Sequence, residues 1–306
     1  MPQVASRLST PSASGQRFAE RLMAYSEVAL ALAEVAQASS VRREISEALS
    51  IENASRSDLY DLFVKELPPF ASIYLSDDGN IGGDTRSVIA GFYHVLGIPT
   101  PSDPDHLSSL LALLSSVLAK EAQLSSQKDS GRDMRLASVE RAKSVIVGAH
   151  LLSWLPAYLL RAKELASPEL SGWASCALDL ASALSGFDAS PHTGEDDGSV
   201  AAGANWELGE SVSEIVKFIT TPSKSGLIIA PSDIFGVADS LGAALRVGRK
   251  RFVLEELMNQ AGRDEVLPRL AEIAGYQEKL FFSQAGQYRS LQGWSVKAKR
   301  TRELLS

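Results

Sequence analysis

The chain has 306 residues, a formal net charge of −7 and 45% hydrophobic against 22% charged residues, a balance that supports one large core or two smaller ones. The acidic balance argues against a general nucleic-acid binder. The single cysteine, Cys176, excludes an internal disulfide and fits a reducing compartment.

Taken in chain order, residues 1–16 are Ser/Pro/Ala-rich and read as a disordered tail without the apolar core of a secretion signal. From Arg17 onward Phe18, Leu22, Tyr25, Val28, Leu32 and Val35 recur at helical spacing. Two short helices are expected over 41–50 and 57–67, the second stopped by Pro68 and Pro69. The glycine-rich "GNIGGD" follows no strand and reads as a turn. Asp84 can cap the helix "TRSVIAGFYHVL", which ends at Gly97. In "TPSDPDHLSSLL" Asp103 suits an N-cap, Pro104 the first helical position and Asp105 the first turn; the same residues also suit a working surface. A long pattern from Asp133 to about Leu165 is divided at Pro156, and Ser167 caps the next helix. Residues 188–204 read as a flexible connection. Helical patterns then cover about 205–220, 233–246, 248–260, 264–286 and 290–304. "GLIIA" (226–230) is the one β-like run and lacks a strand partner, while "RVGRKR" (246–251) reads as a solvated helix face. The expected architecture is all-α, a single bundle of roughly ten helices over 17–306. No segment reaches the roughly 20 apolar residues of a membrane span, so a soluble protein inside the cell is expected.

No catalytic constellation stands out. Phosphate-loop, dinucleotide, nucleophile-elbow and zinc-protease motifs are absent. His106 with Asp103 and Asp105 could be drawn as a metal or acid–base site, but neighbours on one helical turn diverge. No metal and no cofactor is therefore assigned. A helical small-molecule enzyme or hydrolase using His106 and nearby carboxylates is the alternative reading.

Three stretches carry a family resemblance. "SRSDLYDLFVKEL" supplies Arg56, Leu59, Tyr60 and Phe63; "VIAGFYHVLGIPTPSDPDHLSSLLALL" joins an aromatic helix to an acidic Pro-Asp-His-Leu motif; "AHLLSWLPAYLLRAKE" holds a His-Leu-x-x-Trp-x-Pro pattern. In this order they resemble the TorD-like redox-enzyme maturation chaperones over about residues 55–185. Here "DPDH" has Asp103 where the family usually has glutamate, and it lacks the family's variable residue. The resemblance implies a TorD-like helical bundle and a non-enzymatic role in the cytoplasm. Its partner would be the apo catalytic subunit of a molybdopterin oxidoreductase, bound through its twin-arginine signal peptide or N-terminal segment until the molybdenum cofactor is inserted. Such a receptor needs carboxylates beside an apolar groove. Asp77, Asp78, Asp84, Asp103 and Asp105 offer the charge. The client-binding set implied is Asp103, Asp105, His106, Tyr60, Phe92, Tyr93 and Trp154, with Tyr158 alongside. The aromatics suit a core equally well. Monomer and domain-swapped dimer both fit a helical chain with long connections.

Overall fold

The computed structural model describes residues 13–127, 130–186 and 208–306. Among them the chain is all-α, with fifteen α-helices and no strand. The count exceeds ten because several helices are single turns.

The N-terminal part comprises α1 (Ala13–Ala36), α2 (Arg43–Ala48), α3 (Arg56–Tyr60), α4 (Ala71–Leu75), α5 (Gly83–Val95), α6 (Leu107–Ser126), α7 (Arg132–Val145), α8 (Leu155–Leu165) and α9 (Ser171–Ser185). Helix α1 starts at Ala13, so the end of the expected tail is already helical. A π-helical turn, Asp61–Glu66, extends α3, and another, Ile146–Leu152, extends α7. The break expected at Pro156 is real. Pro156 sits in the first turn of α8, where a missing N–H does no harm, and the axis bends by 46° just before it. Ser167 precedes a short 3-10 turn and makes no side-chain cap, contrary to expectation.

Helices α1 and α6 pack along their length. Leu22, Leu32 and Val35 on one and Leu110, Leu114 and Leu118 on the other are buried. The Ser26 hydroxyl meets Ser115 in this seam, with its carbonyl and hydroxyl oxygens both at 2.9 Å, so the polar groups are satisfied where they are buried. Helix α6 is long and apolar enough to cross a membrane, which corrects the expectation that no segment is. Two-thirds of its apolar window is buried within the bundle, as in a core helix. A buried ion pair, Lys143 Nζ to Glu121 Oε1 at 2.7 Å, joins α7 to α6.

The C-terminal part comprises α10 (Val212–Ile219), α11 (Pro222–Ser225), α12 (Pro231–Ser240), α13 (Lys250–Ala261), α14 (Arg263–Gln284) and α15 (Ser290–Leu305). It has an apolar core of its own, built on Ile215, Ile219, Leu254, Leu257, Val266 and Leu270. Ile228, Ala230, Phe281, Tyr288, Leu291 and Trp294, however, belong to the core of the first part. The expected connection at 188–204 lies outside the described residues.

After the left-handed turn at Gly226, residues 227–230 run outside any helix and buried between the two cores. The missing strand partner of this segment is a side chain. The fully buried Gln277 amide accepts from the Ile228 N–H at 2.9 Å and donates to the Ile228 carbonyl at 3.0 Å. The Ser225 hydroxyl accepts from the Leu227 N–H, the Asp233 carboxylate accepts from the Ala230 N–H, and Lys250 donates to the Ile229 carbonyl at 2.9 Å. Buried backbone polar groups must be matched, and here side chains match them. Arg161 completes the junction. Its Nε donates to Ile228, its NH2 forks onto Asp233 at 2.8 and 2.9 Å, and its NH1 pairs with Glu164.

Candidate functional site

The working region of interest is built from α4, the loop 76–82, α5 and the approach to α6. The 98–106 segment does not enter α6 as expected. Residues 105–107 turn back to pair with 69–71: Ala71 N–H donates to Asp105 O at 2.9 Å and Leu107 N–H to Pro69 O at 2.8 Å, with an antiparallel bridge between Phe70 and His106. This pairing delays the helix. The N-cap is therefore His106 rather than Asp103, its Nδ1 accepting from the Ser108 N–H at 3.2 Å and lying 2.7 Å from the Ser108 hydroxyl. Asp103, Pro104 and Asp105 all stand before the helix. An Nδ1 that accepts places the ring proton on Nε2. Burial holds the His106 pKa below its ordinary value, against the opposing pull of Asp103 and Asp105.

Asp105 is wholly buried. Its Oδ2 accepts from the Ser72 hydroxyl at 2.5 Å, and the Ser72 oxygen accepts from the Gly82 N–H at 3.0 Å. Asp105 Oδ1 has no hydrogen-bond partner among the described residues. One hydroxyl thus ties α4, the 76–82 loop and the 98–106 segment together, and Ser72 escaped the sequence reading because no motif marks it. In this fold the Asp105 carboxylate lies beneath the surface expected to meet a client and shapes that surface from below.

Trp154 and Tyr93 also lie beneath the surface. Trp154 is fully buried, stacked on Tyr74 at 5.0 Å and meeting Tyr158 edge-on at 5.4 Å. Its indole N–H donates to His150 O at 2.8 Å. Tyr158, also buried, donates to Leu67 O. Tyr93 donates to Ser109 O at 2.7 Å and pins α5 to α6, its phenol pushed up to about 12 by burial. These rings form a floor rather than a trough, because their polar ends find backbone carbonyls inside the protein. Phe92 is half-buried against His150. Tyr60 is 49% exposed under Lys65.

The five aspartates separate into two kinds. Asp78 folds into its own loop, accepting from Ser76, the Asn80 N–H and the Asn80 amide, and these bonds, led by the Asn80 N–H, hold its pKa below the usual carboxylate range. Asp77, Asp84 and Asp103 are exposed and make no ion pair among the described residues. Asp84 lies in the first turn of α5 behind Gly82, which takes the cap position instead. Arg86 donates to Ser102 O at 2.7 Å, bringing the adjoining Asp103 to the same end of α5.

The C-terminal part braces this loop. Ser223 donates to Ser76 O at 2.7 Å and Arg251 donates to Asp78 O. Gly79 has φ +64°, and a Cβ there would stand 3.2 Å from Thr220 O and Thr221 Cα, so only glycine fits both turn and contact. The "RVGRKR" reading is corrected accordingly. Arg251 turns inward to Thr220 and Asp78, and burial, then the adjacent Arg251 charge, press the Lys250 ammonium down to about 8. Only Arg246 and Arg249 remain in solvent.

An acid–base reading asks His106 and its carboxylates to converge. They do not: His106 Nδ1 serves Ser108, Asp105 serves Ser72, and Asp103 faces solvent. Among the described residues no three His, Cys, Asp or Glu side chains gather as a ligand set.

Comparison with known proteins adds to this geometry. Residues 24–159 match the family model described as nitrate reductase delta subunit. The "Chaperone protein TorD" of two Vibrio vulnificus strains is 30% identical to this chain over 116 residues, 35% of this chain and 51% of each relative. The chain thus spans about half the length of the curated relatives it matches. No solved structure matches it.

Proposed function

We propose, from the match of residues 24–159 to the nitrate reductase delta subunit family and the 30% identity over 116 residues to the chaperone protein TorD, that this chain is the dedicated chaperone of a redox enzyme. It binds the twin-arginine signal peptide or N-terminal segment of a molybdopterin oxidoreductase catalytic subunit in the cytoplasm. It releases that subunit once the molybdenum cofactor is in place.

One observation carries the proposal: Asp77, Asp84 and Asp103 leave unpaired carboxylates around the N-terminal end of α5, a helix that also exposes Val88, Gly91 and Val95. Guanidinium groups seek such carboxylates, each pair giving about 1.5–3 kcal/mol where partly desolvated and less in open water. Three acids at one end supply orientation, and an adjoining apolar surface supplies affinity. Asp105, Ser72 and His106 keep the loops that carry those acids in place.

The test is co-purification with an oxidoreductase precursor bearing its own leader. Replacing Asp77, Asp84 and Asp103 together by asparagine is expected to weaken capture about tenfold or more and to flatten its salt dependence. Undiminished, salt-sensitive capture by the folded variant would refute the assignment.

A further inference from the structure

Helix α5 presents an outer face that its own fold does not use. Ile89 and Tyr93 turn into the core, while Asp84, Ser87, Val88, Gly91, His94 and Val95 are exposed, as is Arg86, whose guanidinium donates to Ser102 O. Val88 is 61% and Val95 80% exposed, and Ile81, in the loop before the helix, is 57% exposed. At the centre sits Gly91, with ordinary helical backbone; a Cβ there would meet nothing within 4 Å. Neither a turn nor a neighbour requires glycine at this position, and in an exposed helix interior glycine opposes folding. Its absent side chain matters only to something that approaches from outside.

We propose that this face receives the apolar stretch of the client's leader as an α-helix, crossing α5 at Gly91. The inference rests on the chaperone reading above and specifies how the client is held. Two helices approach most closely where a small residue removes a side chain from the contact. Val88 and Val95, one turn on either side, form the walls of that notch, at the i, i+3 and i+7 spacing by which a helical partner is gripped. Charge fixes the direction. Asp84 and Asp103 lie at the N-terminal end of α5, and the loop carrying Asp77 leads into it, so the arginine pair docks there. The greasy stretch that follows runs over Gly91 towards Val95. Gly91 then sets how closely a helical leader can approach α5.

The test uses the full chain and a fluorescent synthetic peptide of two adjacent arginines followed by about twelve leucines and alanines, read by anisotropy. The parent is expected to bind it, and to lose binding when the leucines become serines. Gly91→Leu is expected to melt at the same temperature or higher, because leucine is the better helix former, while its Kd rises about tenfold or more. Val88→Asp, which leaves the notch open but charges its wall, is expected to weaken binding likewise. A folded Gly91→Leu protein that binds as the parent does overturns the docking mode and leaves the chaperone reading standing. Failure of the parent itself to bind overturns both. If Gly91→Leu instead dissociates a dimer in sedimentation with peptide binding unchanged, the face pairs copies of this chain, and the proposal is wrong.

Discussion

The Ser72 hydroxyl donates to Asp105 and accepts from Gly82, so three pieces of backbone distant in sequence share one oxygen. Ser72→Ala removes both bonds and leaves a second Asp105 oxygen unpartnered beside the first. We expect a loss of about 2–4 kcal/mol, measured by urea denaturation. Asp105→Asn keeps a hydrogen-bond acceptor and is expected to cost less. His106 gives a pH signature. Its pKa is lowered in the folded protein, as is that of buried His150. The unfolded chain therefore takes up protons first, and stability present above about pH 6.5 is lost as pH falls towards the folded values. His106→Asn retains a cap acceptor without a titrating group, so its stability is expected to fall less steeply between about pH 6.5 and 5. Much of this residue-scale picture lay beyond sequence reading. "DPDH" marked the right segment, but its capping pattern suggested an ordinary helix start. The pairing of 105–107 with 69–71 that moves the cap to His106 is a tertiary event. Trp154 and Tyr93 were ambiguous between floor and trough because large aromatics serve both.

Among the elements, those with a sustained 3.6-residue period were legible: α1, α5, α6, α14 and α15 lie within a few residues of where the pattern puts them. Elements shorter than two turns, such as α4 and α11, have too few repeats to show a period. "GLIIA" looked like an orphan strand because its partner is the side chain of Gln277, which no pairing rule foresees. The basic run misled for a related reason. A solvated face is the usual place for Lys250 and Arg251, yet both carry donors that nearby carbonyls lack. Arg161 lies in a quoted motif, yet only contact with Asp233 shows its use. Arg161→Met removes the cation paired with two partly buried carboxylates, Asp233 and Glu164, which keep only neutral donors in Ala230 N–H and the Tyr276 hydroxyl, and it is expected to cost about 3 kcal/mol in equilibrium unfolding. Arg251→Ala with Ser223→Ala is expected to leave global stability nearly unchanged while amide exchange in 76–82 accelerates, since the brace on that loop is local.

At the scale of the whole molecule, the family match ends at residue 159, but the core it belongs to does not. Phe281, Tyr288, Leu291 and Trp294 complete that core from the far end of the chain, with Trp294 donating to Ser153 O at 3.0 Å and Tyr288 to Leu178 O at 2.9 Å. A chain cut after residue 186 would expose the apolar bed of these four side chains. We expect it to bind a hydrophobic dye and to lose cooperative unfolding, as packing-deficient states do. A truncated form that melts cooperatively would show the first core to be self-sufficient. The C-terminal helices also hold the acidic loop through Ser223, Arg251 and the Gly79 contact, so the surface that carries the charge is assembled from both parts of the chain.

The amide of Gln277 has one more effect. Aliphatic runs outside any helix, such as 227–230, are the stretches by which proteins zip onto one another, because an unsatisfied ribbon recruits the next. Here a lone carboxamide and a handful of neighbouring donors and acceptors close the ribbon on itself, so it can nucleate no fibril while the fold stands. The same side chain that joins the two cores thereby also guards an adhesive stretch of the chain.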